Sequence, residues 1–317
     1  MLPDAAHRAR GSFVRDQVAA LRSLQGVEVA LYEFAPGPAA LARAAVELRR
    51  AHGGPSTLSR RPGSRAYDVV HAHFGLAAWP GLVVPARVRA LTVHGTDLLH
   101  PRTRVATAAV LPLIDLLGAP SAELVRALPT RRARERAQLL PCGVDMERFR
   151  PIPRERARAE LGLPAHGRLL LLAADPARPE KRADRAHALA REVSAELLTL
   201  GDVEPERVPL WVNAADAVIA PSEREGFGLA VLEALACDVP VLATPVGVHA
   251  EALEGIAGVL CAEFDLLRWS AALEPHLRAE DPRVEGRSRA ERYSARAMAE
   301  RVLLAWRRAL EGAPVPR

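Results

Sequence analysis

Short apolar runs alternate with longer segments whose apolar residues recur every three to four positions, and this alternation appears twice along the chain. In the first half, residues 12–24 carry Phe13, Val14, Val18, Leu21 and Leu24 at helical spacing, and Gly26 ends that helix before a strand-like run, 27–34. A helix over 38–51 and a polar loop follow. Residues 67–73 then form a buried strand, 77–88 a helix, and 91–97 another strand that runs into His94-Gly95 and a polar turn. The second half opens with a strand over 169–173, a Pro-rich loop over 175–180 and a helix from Lys181 to about 193. Apolar runs at 197–200 and 217–220 lead to a glycine-bearing loop, a short helix ending near 236 and a strand over 239–243. A long amphipathic helix closes the chain over 295–310, with Met298, Val302, Ala305, Trp306 and Leu310 on one face. Strand-helix alternation of this kind predicts an α/β protein with parallel sheets covered by helices, in two Rossmann-like domains. No apolar strand is visible in residues 1–10, so either the chain starts too far downstream or the first domain lacks its first strand.

Composition narrows the classes. At 49% hydrophobic and 26% charged, the 317 residues describe a globular protein with material for two cores. No apolar run reaches the roughly 18 residues of a membrane span, and the first residues lack a signal-peptide core. A cytoplasmic location is therefore expected, with peripheral contact at the inner membrane face kept open by the net charge of +5. Nucleic acid is not an expected partner, because the charge is scattered and aromatics make up only 4%. Cys142, Cys237 and Cys261 have no metal-ligand spacing and are expected to be buried free thiols.

Two features carry candidate chemistry. Glu225 and Glu233 bracket seven residues across a loop and a helix start, Glu225-Gly226-Phe227-Gly228 to Glu233, where backbone N–H groups are offered to an anion. Among 43 basic residues only Lys181 is a lysine, and a compact ammonium is not replaced by arginine at a tight phosphate site. His94 sits where α/β sheets build their sites, after a strand. His71 and His73 are expected to face opposite ways from their strand, against a shared metal site.

Taken together and in this order, several stretches resemble glycosyltransferase family four: Gly11-Ser12-Phe13-Val14-Arg15, Asp68 to His73, His94-Gly95-Thr96-Asp97, Leu140 to Asp145, Pro179-Glu180-Lys181 and, most strongly, Glu225 to Ala236. That family comprises retaining, nucleotide-sugar-dependent enzymes of GT-B architecture, in which two Rossmann-like domains face each other across a cleft. The resemblance implies an N-terminal, acceptor-side domain over residues 1–150, with the helix of about 295–311 packing back on it, and a nucleotide-sugar-binding domain over 151–294. It implies a hexosyltransferase that uses a nucleoside diphosphate sugar as substrate, needs no cofactor or metal, and passes the sugar to a saccharide, lipid or small-molecule acceptor.

By the same resemblance His94, Glu225 and Lys181 are the catalytic candidates. Donor binding falls to Gly11, Arg178, Lys181, Glu225, Gly226, Phe227, Gly228 and Glu233. Glu233 would hold the ribose hydroxyls, Glu225 and the backbone of Gly226 to Gly228 the sugar hydroxyls, and Lys181 the diphosphate. Where the family carries a Gly-Arg pair, this chain has Ala174-Asp175, so Arg178 is the candidate substitute. Two other readings stay open: an epimerase of the same architecture, and a non-catalytic nucleotide-sugar-binding protein.

Overall fold

A computed structural model describes residues 11–52, 67–201 and 203–312. The expectation of a missing first strand rests on residues 1–10, and the polar loop falls mainly on 53–66; both lie outside the described residues.

The chain divides into two units, one built on residues 13–142 and 298 onward, the other on 143–297. The first unit holds a four-stranded sheet of β1 (Tyr67–His73), β2 (Ala86–Thr92), β3 (Leu116–Ala119) and β4 (Gln138–Leu139). Its strands are parallel and lie in sequence order. The helix Ala295–Glu311 lays Ala305, with Trp306, Ala309 and Leu310 beside it, against Val88, Ala90, Leu116 and Leu140 of this sheet.

The second unit holds a five-stranded parallel sheet of β5 (Leu169–Leu172), β6 (Glu196–Thr199), β7 (Ala217–Ala220), β8 (Val241–Ala243) and β9 (Leu260–Cys261), in the order β6-β5-β7-β8-β9. The central strands read Leu-Leu-Leu-Leu and Ala-Val-Ile-Ala and are buried at every position. Helices on both faces of a parallel sheet demand such unbroken apolar runs. Chain order reverses between β5 and β7, so the connections after these two neighbours diverge and leave a crevice at their carboxyl ends.

At the opposite ends, Asp216 accepts from the Leu169 backbone N–H at 2.7 Å and pairs with the fully buried Arg158 at 3.2 Å. Arg154 binds the same carboxylate. A carboxylate enclosed in this way is tolerable only because cations and N–H groups satisfy it.

Four expectations change. Residues 27–34 form no strand: alternation favours extended backbone, but a strand exists only in a ladder, and here the Val29 carbonyl accepts from the Arg22 guanidinium. The helix expected over 77–88 runs instead over Gly75–Gly81. Pro80, Gly81 and Pro85 stop it, and residues 86–88 join β2, whose Val88 pairs with Val69. Lys181 ends a 3₁₀ turn, Pro179–Lys181, and the following helix starts only at Ala183. Of the cysteines, Cys142 and Cys237 are buried but Cys261 is only partly so.

Candidate functional site

In the second unit, the loops that leave β5 and β7 meet at the point where the strand order reverses. The backbone N–H of Glu223 donates to the Glu180 carbonyl at 2.9 Å, tying the two loops together. This brings Lys181, from the β5 loop, against Glu225, from the β7 loop: the ammonium donates to Oε1 at 2.7 Å and to Oε2 at 2.8 Å. Ser222 Oγ donates to Oε1 at 2.8 Å. The two charged side chains keep only 13% and 11% of their surface, so their mutual attraction is screened far less than that of an exposed pair, against a larger desolvation cost. Burial alone would raise the Glu225 carboxyl; Lys181 first, then His249 and the hydrogen bonds, outweigh it and leave the group below its ordinary range.

Gly228 caps the helix Leu229–Ala236 with φ 105°, a left-handed conformation open to glycine. That cap opens the helix that follows the Glu225 loop, and the N–H groups of a first turn have no carbonyl one turn earlier in their helix. Glu233 lies half-buried in the same helix, just over one turn past the Gly228 cap. Phe227 is buried against Tyr293, with ring centroids 6.1 Å apart, and its carbonyl accepts from Val248 N–H at 2.8 Å. Gly226 is half-buried between them. Arg178 turns the other way and engages Glu180 through Nε at 3.0 Å and Nη2 at 2.7 Å. It is half-exposed and outside the Lys181–Glu225 contact, as its place just before the 3₁₀ turn requires.

Asn213, the one asparagine of the chain, is fully buried and spent on structural bonds. Its amide donates to the Arg150 and Pro209 carbonyls and its oxygen accepts from Ile152 N–H and Arg283, which fixes the chain entering the unit.

In the first unit, His94 is enclosed by aromatic rings: Phe13 at 4.7 Å, Phe74 at 4.8 Å and His73 at 5.1 Å between centroids. His73 Nδ1 and His94 Nε2 are hydrogen-bonded at 2.9 Å. His71 and His73 share one face, as residues two apart in a strand must, and stack at 4.8 Å; the expectation of opposite faces was a misjudged period. An indole N–H only donates, so Trp306 Nε1 at 3.0 Å makes His71 Nδ1 an acceptor, and the His71 proton on Nε2 goes to Thr92 Oγ1 at 2.8 Å. Burial pushes His71 down to about 4; burial and then His71 push His94 down to about 3; His73 is lowered by burial and by both neighbours. These are neutral imidazoles at ordinary pH.

Asp97 sets the loops that carry them, accepting from His94 N–H at 3.0 Å and Gly75 N–H at 3.2 Å. Gly11, just before the helix Ser12–Arg22, is buried with φ 78°.

Asp97 and His249 carry parts of these arrangements to which the sequence assigned no role. The available signal was place: Asp97 follows β2 by five residues and His249 follows β8 by six, both beyond a strand's carboxyl end.

Residues 163–295 match the family model described as glycosyl transferases group 1. The D-inositol 3-phosphate glycosyltransferase of Thermobispora bispora is 32% identical over 279 residues, covering 68% of this chain and 63% of that protein. D-inositol 3-phosphate glycosyltransferase 1 of Catenulispora acidiphila is 30% identical over 314 residues, covering 80% of this chain and 74% of its own length. The chain thus spans under two thirds of the Thermobispora relative. Among solved structures, sucrose-phosphate synthase from Thermosynechococcus elongatus superposes with a TM-score of 0.68 at 18% identity, over 96% of this chain and 94% of that one. Anabaena HepE in complex with UDP-glucose gives 0.61 at 15% identity, over 98% and 97%. At these identities the structures show the fold, GT-B, with its two parallel-sheet domains.

Proposed function

The chain belongs to the glycosyl transferases group 1 family, and from that premise we propose that it transfers a hexosyl unit from a nucleoside diphosphate sugar to a saccharide, lipid or small-molecule acceptor, with retention and without a metal ion. The observation that carries the reading is the Lys181–Glu225 pair, set beside a glycine-capped helix start at the switch point of the second sheet. Breaking a sugar–phosphate bond builds negative charge on the leaving diphosphate, and preorganised donors at that position lower the barrier. Lys181 and the first-turn N–H groups supply such donors, and a helix N-terminus suits a phosphate for the same reason.

Glu225 in this reading binds hydroxyls and is not the nucleophile. A carboxylate offers about four lone-pair sites. Lys181 occupies one on each oxygen and Ser222 another on Oε1, which leaves room for a sugar hydroxyl while keeping the charge tied to the ammonium. An oxocarbenium-like route on one face of the sugar needs no enzyme nucleophile. Glu233, on the same helix as the capped start, holds the ribose. His94, neutral and fixed by His73 and Asp97, keeps its proposed catalytic role from its sequence motif alone. The UDP-glucose held by the Anabaena protein and the D-inositol 3-phosphate in the relatives' names support a nucleotide-sugar donor and a polyol or saccharide acceptor.

Incubation with UDP-, GDP- and ADP-sugars tests this. Release of nucleoside diphosphate from a donor, lost in Lys181→Met, is the expected result. Epimerised donor without transfer or hydrolysis would replace it with the isomerase.

A further inference from the structure

One buried polar side chain beside the donor loop has entered so far only through its effect on the Glu225 carboxyl. His249 opens the helix His249–Leu253 and keeps 1% of its surface. Its Nδ1 lies 2.9 Å from the Thr244 carbonyl, and since a carbonyl only accepts, Nδ1 carries the proton. Thr244 Oγ1 donates in turn to the Ser222 carbonyl at 2.5 Å and the Ala220 carbonyl at 3.2 Å, and Ser222 Oγ donates to Glu225. The contacts thus pass from residue to residue, through separate backbone carbonyls and hydroxyls, from His249 by way of Thr244 and Ser222 to Glu225.

The ring also sets the space for the helix cap. A Cβ added to Gly228 would lie 2.5 Å from His249 Nε2 and 2.6 Å from Cδ2. Beside it, Gly247 at φ 61° lets the two loops touch, because a Cβ there would meet the Phe227 carbonyl at 2.3 Å and Glu225 Cβ at 2.9 Å. Val248 N–H completes the seam by donating to the Phe227 carbonyl. The loop over 244–249 is therefore a template against which 225–228 is moulded.

We infer that His249 is a positioning residue for the donor loop: its ring fixes Gly228 at the helix start, and its bond to Thr244 fixes Ser222 and Glu225. The consequence for sugar transfer rests on the donor-site reading above. A simple space-filling side chain would do the first task and not the second, and this separates the two roles.

Three variants of the full chain decide it: His249→Leu keeps bulk and removes the bond, His249→Asn keeps an N–H near Nδ1, and Thr244→Val breaks the next link. Amide exchange of the peptide covering 225–230 is read in the ligand-free protein, with β5 and β7 peptides as the control for folding. His249→Leu and Thr244→Val should each speed that exchange about tenfold, the equivalent of one lost hydrogen bond. His249→Asn should stay within about threefold, and the Leu/Val double variant should be little worse than either single, because neighbours in one network are not additive. Exchange in His249→Leu equal to wild type, or equal in Leu and Asn, overturns the inference. UDP and UDP-glucose affinities, measured by calorimetry, should fall about tenfold in the same two variants. If wild type binds neither nucleotide while the exchange pattern holds, the donor reading fails and the positioning role stands.

Discussion

Replacing Lys181 by Met strands the Glu225 carboxylate, and the size of the effect follows from the geometry. At 2.7 Å and an effective dielectric of about 20, the gross attraction is about 6 kcal/mol. Desolvation offsets part of it, and removing one partner of a buried pair costs about 3–5 kcal/mol. Residual exposure of 13% and 11% puts this pair at the low end, about 3 kcal/mol. The sign with pH is equally specific. In the wild type the Glu225 carboxyl is held below its ordinary value, so its contribution is present above that value and is lost as pH falls through the lowered one. Without Lys181, burial dominates and raises the carboxyl, so the ionised group becomes a penalty that grows as pH rises through the ordinary carboxylate range. Urea denaturation of both proteins between pH 4 and pH 7 should show a stability gap that widens toward neutrality. Lys181→Met with Glu225→Gln should recover most of the loss. A gap independent of pH, or a double variant worse than Lys181→Met, would refute this account of the pair.

Glu233→Ala should weaken UDP binding about tenfold to a hundredfold in calorimetry while leaving the thermal transition in place, the effect of losing charge-assisted hydrogen bonds. Asp216→Ala should destabilise the second unit by about 3–5 kcal/mol in denaturant, because Arg158 and Arg154 would be left buried without their carboxylate. The three stacked histidines are held below their ordinary value in the fold, so the stability they contribute is complete above about pH 6.5 and is lost as pH falls toward 4. Imidazole proton shifts followed by NMR should accordingly show His71 and His94 unprotonated at pH 5.5. Transfer activity should survive excess EDTA, and loss reversed by magnesium or manganese would contradict the metal-free route.

Sequence patterning was most legible where burial is complete. The unbroken apolar runs 169–172 and 217–220 stand out in the sequence, and both are fully buried strands of the second sheet. It failed where local preference had no partner or met a conflicting signal. Residues 27–34 alternate like a strand but join no ladder, and Pro80 and Pro85 overrode the apolar spacing of 77–88. At the site, the loop from Glu225 to Gly228 and the helix carrying Glu233 could be located from the glycines and carboxylates alone. The contact of Lys181 with Glu225 could not, since it depends on which loops the strand order brings together. His249 and Thr244 were invisible for a related reason: nothing in their own stretch says that its neighbour in space is Gly228.

The central claim is that the second unit's switch-point site binds and activates a nucleoside diphosphate sugar. Its most direct test is a calorimetric titration of UDP-, GDP- and ADP-sugars into wild type, Lys181→Met and Glu233→Ala, with the anomeric form of any released or transferred sugar read by NMR. The account predicts that one donor binds wild type, that both variants bind it about tenfold or more weakly, and that the sugar keeps its anomeric configuration. Equal binding by all three proteins, or inversion at the anomeric carbon, would contradict it.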